Sequence, residues 1–205
     1  MRKASVLFLI LFIALSGQLF AQDNSDPDVE PDWDDFKYEL YSRGDQTFSI
    51  SLGVGFPIVF INQGKKFEKH NIEPPVGGTG ALTYIYYINS VFFTGGEVSL
   101  LFLPTIAENT VFITSFGARF GTQFIADRFE FPISMALGMT LQTYLDLGYF
   151  GYYMKAGASA LFRATHDWSF GLATNFCWFP QWTEDPAKNV DGLFIDLSLV
   201  ARYHF

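Results

Sequence analysis

Bulky apolar residues recur at every second position through eight segments of the chain. In the first, Phe48, Ile50, Leu52, Val54, Phe56, Ile58 and Phe60 alternate with Thr47, Ser49, Ser51, Gly53, Gly55, Pro57 and Val59. Period-two alternation predicts a strand with two unlike faces. The others run from about Gly78 to Ile88, Phe92 to Leu103, Phe112 to Phe124, Phe131 to Gln142, Phe150 to Arg163, Trp168 to Trp178 and Gly192 to Phe205. In the last, Leu193, Ile195, Leu197, Leu199, Ala201, Tyr203 and Phe205 hold one face, and the chain stops on that face. Longer connections are expected at 61–77, 104–109, 143–148 and 180–191, and tight turns near Asn89-Ser90, Asp127-Arg128 and His166-Asp167. Eight strands bring both chain ends to the side of the tight turns.

Which face points outward decides the class. The less apolar face is Gly, Ser, Thr and Ala with few charges, chiefly Glu97, Arg119, Lys155, Arg163, Asp196 and Arg202. A strand face in water would carry many more Lys and Glu. A soluble barrel has its apolar face inside, and a membrane barrel inverts this. Composition agrees with inversion. The 205 residues are 49% hydrophobic and 19% aromatic but only 17% charged, against about 25% charged in ordinary soluble domains. No stretch after residue 21 approaches the roughly 20 apolar residues of a transmembrane helix. The expected fold is all-β: an eight-stranded antiparallel transmembrane up-and-down β-barrel over residues 46–205, with outer-membrane lipid as its solvent. Phe48, Phe60, Trp168, Trp178 and Tyr203 are then placed at headgroup level.

Two segments precede the barrel. Residues 1–21 read as a signal peptide, with Arg2 and Lys3 before an apolar run from Val6 to Leu15 and cleavage near Ala21. Residues 22–45 form an acidic lead, interrupted by Pro27 and Pro31, that lacks the apolar content to fold alone. It reads as a disordered periplasmic segment, as a docking tail, or as a strap whose Trp33 and Phe36 tuck under the barrel mouth. Without Arg2 and Lys3, 21 acidic residues face 11 bases for a net charge of −10. That balance excludes a general nucleic-acid binder.

Eight strands leave an interior that side chains just fill. Glu97, Arg119, Lys155, Asp196 and Arg202 are expected to form a lumenal charge network. The apolar inward residues Ile85, Leu101, Leu103, Ile113, Phe179 and Phe194 are expected to line the lumen. Little else suggests chemistry. His70, His166 and His204 lie in separate connections or at the chain end, and none is read as pairing with a nearby Ser and carboxylate. Accordingly no catalytic residues, no metal site and no cofactor are expected, and the chain reads as no enzyme. Cys177 is the sole cysteine, so an internal disulfide is excluded.

The signal segment, eight strands and terminal Phe205 together resemble the small bacterial outer-membrane barrels of the OmpW, OmpX and OmpA-barrel type. That resemblance covers residues 46–205 and implies a bacterial cell outer-membrane location. It also implies that Tyr203 and Phe205 form an insertion signal for the outer-membrane insertion machinery. An OmpW-like role would be a narrow channel for small hydrophobic molecules. The alternative is a structural or adhesin-like barrel that meets surface partners through loops 61–77 and 180–191. The first of these loops carries Lys65, Lys66 and Lys69, the second Trp182.

Overall fold

In a computed structural model, residues 41–62, 65–67, 76–104, 110–144, 147–181 and 190–205 are described. They form nine strands: β1 (Gln46–Asn62), β2 (Lys65–Phe67), β3 (Gly77–Tyr87), β4 (Phe92–Pro104), β5 (Thr110–Ala126), β6 (Phe129–Tyr144), β7 (Leu147–Arg163), β8 (Trp168–Gln181) and β9 (Val190–His204). Neighbours pair antiparallel in chain order, and β9 returns to pair with β1, from Thr47↔His204 to Asn62↔Val190. The result is a closed eight-stranded barrel with β2 as a short hairpin extension of β1. Closure satisfies every stave's backbone from both sides, the condition for strands to cross hydrocarbon.

The pleat sorts residues as the alternation predicts. Outward positions stay exposed, including Leu199 at 69%, Leu52 at 64% and Phe124 at 57%. Inward positions such as Thr47, Ser49, Thr83, Ser99, Ser115 and Ser198 are buried. Such a surface is stable only in lipid, because an apolar wall of this extent in water would aggregate. Aromatics crowd the outer surface where β9 ends beside the start of β8. Trp168 and Tyr203 sit 5.1 Å apart, and Tyr203 and Phe205 4.9 Å apart, ring centre to ring centre.

One expected boundary differs. The connection foreseen at 143–148 shrinks to residues 145–146, because Thr143↔Gly148 and Tyr144↔Leu147 continue the β6–β7 ladder. Backbone pairing outlasts the apolar alternation there. Proline marks two irregularities elsewhere. The β1–β9 register shifts between Pro57 and Val59. Pro132 is skipped in the β6–β7 ladder though it pairs toward β5. A residue without an N–H can serve only one neighbour.

Two facing glycines let β5 and β6 approach. Gly117 lies opposite Gly138, and a Cβ on Gly117 would come within 2.3 Å of the Leu137 carbonyl oxygen. Gly117→Val should therefore block this pairing. The expected outcome is loss of the compact, heat-modifiable band on a gel of the refolded protein, whereas Ser115→Val should keep it.

Candidate functional site

The inward faces meet in three layers along the lumen. The middle layer is ionic. Glu97 on β4 is 3% exposed and pairs with Arg119 on β5 (2.5 Å) and with Lys155 on β7. Lys155 also donates to Ser99 (3.1 Å). Strand geometry explains the meeting. Glu97 lies opposite Gly117, two positions from Arg119 on the same face. Lys155 lies opposite Ala136 and spans the lumen over small residues. Asp196 on β9 belongs to the same region but is held differently: Asn175 donates to it at 2.7 Å, and the Cys177 thiol lies 3.6 Å away. Glu97, Arg119, Lys155, Asp196 and Arg202 all border one cavity of about 30 Å³. That is room for about two waters, not for a substrate.

The second layer fills the termini end, where β1 begins and β9 ends. Arg202 pairs with Glu130 at 3.1 Å rather than with the central ions. It also donates to Ser49 (3.3 Å) and Gln123 (3.4 Å). Around this pair stand residues that sequence reasoning did not single out. Tyr41 folds in from the segment before β1 and donates to Glu130 at 3.0 Å. Its hydroxyl is 2.9 Å from His204 Nδ1, and Ser169 Oγ is 2.8 Å from His204 Nε2. Ser169 Oγ also lies 3.3 Å from Glu130. Burial pushes the Tyr41 hydroxyl well above its ordinary pKa, so it remains a donor. Chain order hides this cluster, since its members come from the segment before β1 and from β1, β5, β6, β8 and β9. Glu130 was nevertheless legible, because it continues the inward parity of Pro132 and Ser134 by one step toward the turn. His204 likewise follows Arg202.

The third layer, at the loop end, is apolar. Leu101, Leu103, Ile113, Phe179 and Phe194 form one buried cluster with Ala136, Tyr153 and Cys177. Phe194 meets Phe179 and Phe60 edge-on at 5.4 and 5.6 Å. The cavity beside them measures about 10 Å³. Ile85 lies elsewhere, packed with Tyr41, Tyr87 and Phe93. The reason is direction: β3 enters at the loop end at Gly77, so Ile85 is near its far end. Tyr203 and Phe205 face outward, the latter 70% exposed. Trp33, Phe36, His70, Trp182 and most of loops 61–77 and 180–191 lie outside the described residues. Among the described residues no cluster of metal-ligating side chains occurs.

A protein-family model matches residues 22–203. A protein of Treponema pallidum (strain Nichols), itself uncharacterized, is 27% identical over 129 residues, or 63% of this chain. The chain spans about 59% of that curated relative's length. Among solved structures, neisserial surface protein A is similar at a TM-score of 0.59 and 10% identity, over 79% of this chain and 97% of that one. OprG of Pseudomonas aeruginosa scores 0.49 at 9% identity, covering 80% and 97%. Identities this low bear on the fold alone. The expectation that the chain is no enzyme is corrected here. Similar structures include the outer-membrane enzyme PagL (TM-score 0.46, 14% identity) and the outer-membrane protease OmpT of Escherichia coli (0.40, 7%).

Breaking the central layer should be costly. Glu97→Ala leaves Arg119 and Lys155 buried without their shared carboxylate, and such a loss costs about 3–5 kcal/mol. The urea midpoint of the refolded barrel should fall sharply. The triple change Glu97→Met, Arg119→Met, Lys155→Met should recover most of that loss, since an apolar replacement of a buried ionic group is commonly near neutral.

Proposed function

We propose that this chain, which belongs to the family matched over residues 22–203 and is built as a small outer-membrane barrel, acts through its outer loops and not through its lumen. The observation that supports this reading is the filling of the interior at every level. A tyrosine and an ion pair occupy the termini end, an ionic cluster the middle, and an aromatic cluster the loop end. The cavity among the central charges holds about 30 Å³, far below the roughly 300 Å³ at which small-molecule pockets begin. A closed barrel of this kind is a rigid stand for its loops, the usual place for recognition on a fixed scaffold.

Export belongs to the same proposal. Cleavage near Ala21 would release the chain into the periplasm, and the outward Tyr203 and Phe205 would present the terminal strand to the insertion machinery. The lumenal charges then serve neutrality and packing. A second reading, passage of small hydrophobic molecules, draws support from the apolar cluster around Phe179 and Phe194. It would require those rings to part.

Planar-bilayer recording of the refolded protein separates the two. The expected record is silent, and it stays silent for Arg119→Ala; a steady conductance in the native protein would refute the sealed lumen. Removing loops 61–77 and 180–191 together should preserve the heat-modifiable barrel and abolish adhesion of bacteria expressing it. Adhesion that survives the double deletion would count against the loops.

A further inference from the structure

Tyr41 is 5% exposed although it precedes the first strand. Four independent features of the barrel meet its side chain. One face stacks on Tyr87, with ring centres 3.8 Å apart and planes 9° from parallel. The Arg163 guanidinium carbon stands 5.5 Å from its ring centre. Its hydroxyl donates to Glu130 at 3.0 Å. His204 Nδ1 lies 2.9 Å from the same oxygen. These assignments are mutually consistent. A hydroxyl that donates to Glu130 accepts from Nδ1–H, and the one Ser169 proton then serves either Nε2 at 2.8 Å or Glu130 at 3.3 Å. Glu130 is itself held by Arg202.

The walls of this site belong to β3, β6, β7 and β9, so the barrel supplies all of it and the segment before β1 supplies only the occupant. A flat apolar slot beside a cation suits any aromatic ring. The buried carboxylate and imidazole add a requirement for a hydroxyl in the ring plane, because without it they lose a partner each. The occupant arrives on a short tether. Gly44, at a φ of 106°, turns the chain, and its N–H donates to the Tyr87 carbonyl at 3.0 Å.

We propose that the mouth of the barrel at the termini end is a binding site for a phenol, filled in cis by Tyr41, which makes residues 41–45 a latch over the lumen. The latch is removable in principle because its anchor is one side chain and one turn. Ile85, which packs with Tyr41, and Arg202, which holds Glu130, also border the central cavity. Withdrawal of the ring would therefore open that cavity toward the mouth, as far as Glu97, Arg119 and Lys155. A competing tyrosyl side chain or free phenol is the class of molecule that would replace it.

The test is chemical rescue in the full barrel refolded in detergent. Tyr41→Ala should lower the temperature at which the heat-modifiable band is lost. Added p-cresol should restore that temperature saturably. Toluene, of the same shape but without the hydroxyl, should not, and neither compound should shift the native protein. Tyr41→Phe should fall between native and Tyr41→Ala. Should Tyr41→Ala fail to refold, p-cresol present during refolding should recover it. The proposal is overturned if Tyr41→Ala matches the native protein, if toluene rescues as well as p-cresol, or if p-cresol has no effect.

Discussion

The pairing of β9 with β1 is the constraint on which the rest depends. Hydrocarbon offers no partner to a backbone N–H or C=O, so an open sheet edge is excluded from it. Once the edge is closed, the pleat leaves every stave with one face to lipid and one to the lumen. Phe124, Leu172 and Leu199 on the outside, and Ser115, Ser169 and Ser198 on the inside, follow from that geometry. Eight staves enclose so little space that the inner face must be filled by its own side chains.

Filling a narrow lumen with charge needs local neutrality, since an unpaired buried ion is far costlier than a paired one. The protein meets this in two separate groups. Glu97 takes two cations in the middle, while Asp196 relies on Asn175 nearby. Glu130 takes Arg202 near the chain ends. The glycines and alanines between them are what allow long side chains to cross. Gly117 and Ala136 illustrate this, lying opposite Glu97 and Lys155.

Most of this fold could be read from the chain because period-two alternation survives in every long stave. Parity also identified Glu97, Arg119, Lys155 and Arg202 as inward. It could not say which cation meets which carboxylate, because that depends on the height of each residue along its own strand. Ile85 shows the same limit: its parity is right, and strand direction alone assigns it to the opposite end from Leu103. Glu130 sat one step beyond where the alternation was thought to begin. Tyr41 lies in a stretch with no periodicity, where the acidic composition drew attention to Trp33 and Phe36 instead. Function was less legible than fold, since strand alternation sorts residues into faces without saying what the filled lumen or the loops do.

The partners of Tyr41 are far away in sequence: Glu130 is 89 residues on and His204 is 163. Contacts of such separation are among the last that a chain can make. His204 lies on β9, opposite Thr47, and is placed only when that strand has zipped onto β1. The tyrosine can thus settle only in a barrel whose final stave is home. Its burial marks the completed ring, because without the last stave the hydroxyl loses His204 and the wall that β9 supplies.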